Sequence, residues 1–159
     1  MKRTAAREIA IQLGFAVAAS GQEPAEAVDA FFEPSHYAEM RTEGELYAEA
    51  PSAKDIAFIK ESVTGVTEHR AELDGYIGKY AHGWRTERIS RSAVAVMRQA
   101  MYEILYMPDV PDAASMDEAV ELLKGYEDGD VVSFVNGVLG GFYRSEVLHE
   151  TSGGEPADD

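Results

Sequence analysis

The chain reads as all-α, and three observations carry that reading. Apolar residues recur at helical spacing from the N-terminus to Phe142, and no run alternates apolar and polar residues as a half-buried strand does. Proline, glycine and capping residues separate the periodic stretches. No internal repeat is visible.

The first helix, Thr4 to about Ala19, is set by the stripe Ala5, Ala6, Ile9, Leu13, Ala16 and Val17, with Arg3 and Arg7 one turn apart at its edge. Ile11 and Phe15 form a second apolar pair on roughly the opposite side. Two readings of that pair stand: both sides of the helix are buried, or the pair is an exposed patch that awaits a partner. Gly21 to Glu23 is a break, and Pro24 suits the first turn of a short helix reaching Phe32. Residues 36–51 are acidic, weakly periodic and tyrosine-bearing, which predicts either a short helix with loops or a mobile insertion. Ile56, Ile59, Val63, Val66, Leu73 and Ile77 keep helical period from Ala53 to about Tyr80, too long for one uncapped helix. Thr64-Gly65 or Thr67 is the expected division. Gly83 ends the run, and a turn through Trp84 to Ile89 leads into the helix around which the chain is organised.

On that helix, from Arg91, Val94, Met97, Met101, Ile104 and Leu105 fall on one side, and Ala93, Ala100 and Met107 widen the arc. Ser92, Gln99 and Glu103 form the opposite stripe, flanked by Arg91, Arg98 and Tyr102. Arg98 is expected to pair with Glu103 or a neighbouring helix. Pro108 and Pro111 stop the helix. Ser115-Met-Asp-Glu118 reads as a capping box that starts the next one. Asp130 reads as the cap of a last helix with Val135, Val138, Leu139 and Phe142 at core spacing. Gly137 and Gly140 interrupt it; a mid-helix glycine costs about 1 kcal/mol relative to alanine, so both are expected to permit close helix approach.

Composition bounds the function. With 159 residues and no cysteine, one domain over 1–148 is expected, without disulfides or a thiolate metal site. A disordered acidic tail is expected over 149–159. No apolar run is long enough to span a bilayer and no signal peptide is evident, so the expected location is cytoplasmic. The net charge of −15 argues against a generic nucleic-acid binder. The acidity is segmental, however: residues 23–50 hold eight acids against Arg41, residues 145–159 hold five and no base, and the first 22 residues carry +2. Lys79 to Arg98 has five basic residues against Glu87.

No catalytic constellation stands out, and no cofactor is expected. Gly75-Tyr-Ile-Gly78-Lys79 has too short a glycine spacing for a P-loop. His36, His69, His82 and His149 are too dispersed for metal-ligand spacing, and Glu127-Asp-Gly-Asp130 lacks the rest of an EF-hand loop. An enzyme is not expected.

Four motifs in order carry a family resemblance. Met97-Arg98, Ala100, Tyr102-Glu103 and Leu105-Tyr106, then Asp109-Val110-Pro111, then Asp117-Glu-Ala-Val-Glu-Leu122, then Phe134-Val-Asn-Gly-Val-Leu139 are similar to the C-terminal half of the NusB family of bacterial transcription antitermination factors. Arg7-Glu8, Gln12 and Phe15 resemble the family's first-helix signature. The resemblance runs from about Lys2 to Arg144 and is faint between Ser20 and Ala50. It implies about seven helices in two three-helix subdomains. It also implies a non-catalytic function: with the small-subunit ribosomal protein that acts as NusE, the protein binds single-stranded boxA RNA and helps the transcription elongation complex pass terminators. Two rivals are an adaptor that kept the protein partner but lost most RNA binding, and a NusB-like domain that serves an RNA methyltransferase.

Lys2, Arg3 and Arg7 are the foremost phosphate candidates, against the plain reading of solvated helix charge. The resemblance supports them, since the family carries an arginine-rich first helix that binds RNA. Thr4 and Ala5 stand where the family often has arginine, which thins the cluster. Lys79, Arg85, Arg88 and Arg91 can extend the patch, with Tyr80 and Trp84 as stacking platforms, although a lone tryptophan between helices more often belongs to a core. Ile11, Phe15, Asp130 and Phe134 are the partner-surface candidates; the resemblance makes Phe15 an aromatic contact and sets Asp130 and Phe134 beside the partner.

Overall fold

A computed structural model describes residues 1–82 and 88–148, and every described element is helical or a turn. Trp84, Arg85 and the segment 149–159 lie outside the described residues. The chain divides into two compact units, Met1–Arg70 and Ala71–Asp159.

In the first unit, α1 (Arg3–Ser20), α2 (Pro24–Phe31) and α4 (Ala53–Glu68) pack on one another, with α3 (Pro34–Met40) and a 3-10 turn (Glu45–Tyr47) between α2 and α4. Ile9 and Val17 of α1, Val28 of α2 and Ile59 and Val63 of α4 form the centre of that unit's core. Ala16, expected on the buried stripe, is exposed. α1 stops because Gly21 adopts a left-handed φ of 73° and returns its N–H to Val17 O, a conformation that costs glycine least. Pro24 and Pro34 open α2 and α3, where Glu23 and Glu33 accept backbone N–H groups as caps.

The segment 36–51 is a short helix with ordered loops. Tyr37 donates its hydroxyl to Glu49 O at 3.2 Å, Arg41 donates to Ala48 O at 3.1 Å, and Tyr47 donates to Gln12 Oε1 at 2.7 Å. Ser52 and Asp55 then start α4 as a reciprocal capping box. The long run 53–80 divides at His69, four residues beyond Gly65, and neither Thr64-Gly65 nor Thr67 breaks it. Thr67 directs its hydroxyl to Val63 O, an arrangement a helix tolerates without ending.

In the second unit, α6 (Arg91–Tyr106), α7 (Asp112–Leu123) and α8 (Gly129–Phe142) pack on one another. α5 (Arg70–Tyr80) precedes them, and a π-turn (Tyr143–Leu148) follows. Tyr76 of α5 sets its ring 5.1 Å from that of Phe142. Arg98 grips Asp74 of α5 through two bonds of 2.7 and 2.9 Å, so its partner is the neighbouring helix and not Glu103.

α6 is central to its unit, but its buried face is turned from the expected one. Met97 and Met101 are fully buried, whereas Val94, Ile104 and Leu105 are half-buried. Gln99, Tyr102 and Glu103, expected outside, are buried. The reason is a polar partner: Ser115 donates to Glu103 Oε1 at 2.8 Å while Gln99 donates to Oε2 at 3.0 Å, so the carboxyl group enters the core with hydrogen bonds made. Ser115 therefore caps nothing. α7 begins at Asp112 behind Pro111, and Ser115 sits inside it facing α6.

Asp130 is likewise not the cap of α8: Asp128 is, accepting from the amides of Asp130 and Val131. The close helix approach expected at Gly137 and Gly140 is not what the structure shows. A Cβ on Gly137 meets nothing within 4 Å, and one on Gly140 meets only Arg144, whereas Gly141 faces the Tyr80 ring at an ordinary 3.5 Å.

Candidate nucleic-acid interface and partner surface

The N-terminus of α1 gathers three cations, and the structure separates their roles. Lys2 stands at the cap position without a capping side chain, and no acid occupies the first turn to offset the charge. Arg3 is exposed and lays its guanidinium 4.1 Å from the centroid of the Phe58 ring on α4. A planar guanidinium on an aromatic face is held in position while its N–H groups remain directed outward in its plane. Arg7, one turn on, lies 5.9 Å from the same ring but is only 4% exposed. Its side chain belongs to the packing between α1 and α4, which leaves Lys2 and Arg3 as the accessible pair.

In the second unit, Arg91 is exposed at the first residue of α6, behind the capping Ser90, and Arg88 is exposed just before it. Lys79, in the last turn of α5, is exposed but donates to Glu146 Oε2 at 2.8 Å, and that bond raises its pKa above the ordinary lysine value. Tyr80 is not an open stacking platform. It is buried, its ring centroid is 6.4 Å from that of Phe142, and its hydroxyl donates to the same Glu146 oxygen. Sequence spacing gave no sign of Glu146 at this place, because it returns from 66 residues further along the chain.

The partner candidates also fall in two groups, one per unit. On α1, Phe15 is 39% exposed and Ile11 is half-buried, so the off-stripe side of this helix is not a second core face at Phe15. On α8, Asp130 is exposed and Phe134, one turn later, is half-buried. Two further aromatics are exposed, Tyr106 at 37% and Tyr126 at 49%. Tyr106, ending α6, donates to Glu72 at 2.6 Å, and that bond pushes its pKa up to about 12, so the phenol stays neutral.

Among the described residues, no helix is long and apolar enough to cross a membrane. A model of the NusB family matches residues 4–144. The transcription antitermination protein NusB of Symbiobacterium thermophilum is 37% identical over 144 residues, covering 91% of this chain and 90% of that protein. That of Ruminiclostridium cellulolyticum is 42% identical over 110 residues, covering 69% and 76%. A T. maritima NusB structure is similar with a TM-score of 0.68 at 22% identity, covering 96% of this chain and 98% of that one. A chain in a crystal structure described as a plectonemic RNA supercoil reaches 0.70 at 23% identity, covering 91% and 96%. Those two likenesses speak to the fold; the sequence match, which takes in nearly all of α1 and the whole of α2 to α8, places this chain in the NusB family.

Proposed function

We propose that the protein is a transcription antitermination factor. With the ribosomal protein acting as NusE, it binds boxA RNA in nascent ribosomal transcripts and helps RNA polymerase read through terminators. The single observation that carries this reading is the match to the NusB family over residues 4–144, with relatives named as transcription antitermination proteins. The mechanism is adaptor-like and non-catalytic: the chain holds an unstructured RNA strand and a protein at once. Reading an unpaired strand accords with how proteins usually recognise RNA sequence.

In this reading Lys2, Arg3, Arg88 and Arg91 meet phosphates, since all four are exposed. Phe15 and Ile11 on one unit, and Asp130 and Phe134 on the other, belong to the protein partner. The acidic segment 23–50 opposes RNA at a distance, but exposed charges are screened beyond roughly 8 Å at physiological salt. Contact cations therefore decide affinity. About four phosphate contacts give a log–log salt slope near −3 for a single strand.

Arg3→Ala is expected to flatten that slope by about 0.7 and to weaken boxA-like and unrelated RNA alike. Arg7→Ala removes a buried side chain and is expected to lower the melting temperature while leaving the slope in place. Titrating both variants with labelled RNA at several salt concentrations checks this; an unchanged slope for Arg3→Ala contradicts the phosphate role. One observation favours a second reading, the adaptor with weak RNA binding: Arg7 is buried and Lys79 is paired, so two of the cations are engaged within the protein.

A further inference from the structure

The last turn of α5 ends in two hydrogen-bond donors that converge on one anionic oxygen. Lys79 Nζ donates to Glu146 Oε2 at 2.8 Å, and the Tyr80 hydroxyl donates to that same Oε2. The two donors come from adjacent residues of α5, while the acceptor comes from the π-turn after α8. They are also unequally exposed. The Lys79 side chain is 62% exposed and that of Glu146 is 20%, whereas Tyr80 is 9% exposed, with its ring against Phe142. The hydroxyl is thus held by a packed ring, and the ammonium reaches it from solvent.

A charged donor and a fixed neutral donor on a single oxygen form the kind of pair that a non-bridging phosphate oxygen accepts equally well. We propose that Lys79 and Tyr80 form a phosphate site, filled in the free protein by the chain's own Glu146, and that an RNA phosphate displaces this carboxylate when the strand binds. Glu146 is then an internal competitor that restrains RNA affinity. The proposal rests on the RNA-binding reading above.

The structure supplies the reason for displacement, not permanent closure. Glu146 is carried on a π-turn, a geometry with i→i+5 bonds that is rare and short in helical proteins. The lysine side of the ion pair is open to solvent, so a strand can reach its ammonium without unpacking the Tyr80 ring. A polyanion that brings several phosphates can therefore exchange for one carboxylate. Lys79 stays positively charged in either state, because its partner only raises its affinity for the proton.

The test is a double-mutant cycle on the full chain, read by binding of a single-stranded boxA-like oligonucleotide across a salt series. Glu146→Gln is expected to raise affinity about three- to tenfold at low salt and to steepen the log–log slope by about 0.7, because the entering phosphate then releases its counterion with no displaced carboxylate to take one up. Lys79→Met alone is expected to weaken binding modestly, since the phosphate contact it loses is partly offset by the Glu146 pair that no longer has to be broken. In the Lys79→Met background the gain from Glu146→Gln is expected to disappear. Glu146→Ala, which removes the hydrogen-bond acceptor as well as the charge, is expected to act in the same direction and shows the gain even where the glutamine keeps the old bonds.

Affinity unchanged in both Glu146 variants, with a slope in the parent that still depends on Arg3, overturns the competitor and leaves the RNA reading standing. A gain that persists with Lys79→Met also overturns it, because the effect is then general charge. No RNA binding by the parent or any variant overturns both. Helicity and melting temperature of each variant accompany the titrations, and the second Glu146 variant decides the matter if the first is poorly folded.

Discussion

Glu103→Ala is expected to destabilise the second unit by roughly 3–5 kcal/mol, the sum of a small cavity and two buried donors left without their acceptor. Glu103 is 1% exposed and accepts from Ser115 and Gln99, themselves 1% and 4% exposed. Glu103→Gln keeps the volume and one acceptor oxygen, and Gln99 can turn its amide to suit, so its cost is expected near 1 kcal/mol. Met101→Ala, which removes only apolar packing at a fully buried position, is expected to cost about 2–5 kcal/mol. Urea denaturation followed by helical circular dichroism measures all three. A Glu103→Ala variant as stable as its parent contradicts the buried network.

Phe15→Asp is expected to abolish binding of the ribosomal partner while leaving helicity and melting temperature nearly unchanged. The ring is 39% exposed, so a polar group there meets solvent in the free protein. An aromatic anchor at the centre of an interface commonly contributes about 2–4 kcal/mol, and an aspartate in its pocket adds the desolvation of a charge. Together these exceed a hundredfold loss of affinity. Isothermal titration with the purified ribosomal partner measures it. A variant that unfolds, or one that binds unimpaired, contradicts the assignment of Phe15 to the partner surface.

The apolar part of the fold was legible because it is written in spacing. Ile9, Leu13 and Val17 are buried as their four-residue repeat implies, and the breaks at Gly21, Pro24 and Pro111 stand where the chain turns. The polar part was less legible. Glu103 breaks the apolar pattern of α6, and what makes its burial tolerable is Ser115, a residue of the next helix whose own spacing to Glu118 imitates a cap. Asp128 and Asp130 are both plausible caps two residues apart, and only backbone geometry distinguishes them. Charge was the hardest to read. Arg3 and Arg7 look equivalent in sequence, yet packing against Phe58 on another helix leaves one exposed and the other buried. The pairing of Lys79 with Glu146 depends on a return of the chain that no local signal announces.

The central claim is that this chain joins one RNA strand and one protein in a single complex, and its most direct test is RNA affinity with and without the ribosomal partner. A labelled boxA-like strand and a scrambled strand of equal length are titrated at physiological salt with the chain alone and then with the pair. The account predicts weak, salt-sensitive binding by the chain alone, and tightening by at least about tenfold in the pair, a coupling near 1.4 kcal/mol. It predicts that tightening for the boxA-like strand and not for the scrambled one. A partner that binds the chain while leaving RNA affinity unchanged, or one that tightens both strands equally, would contradict it.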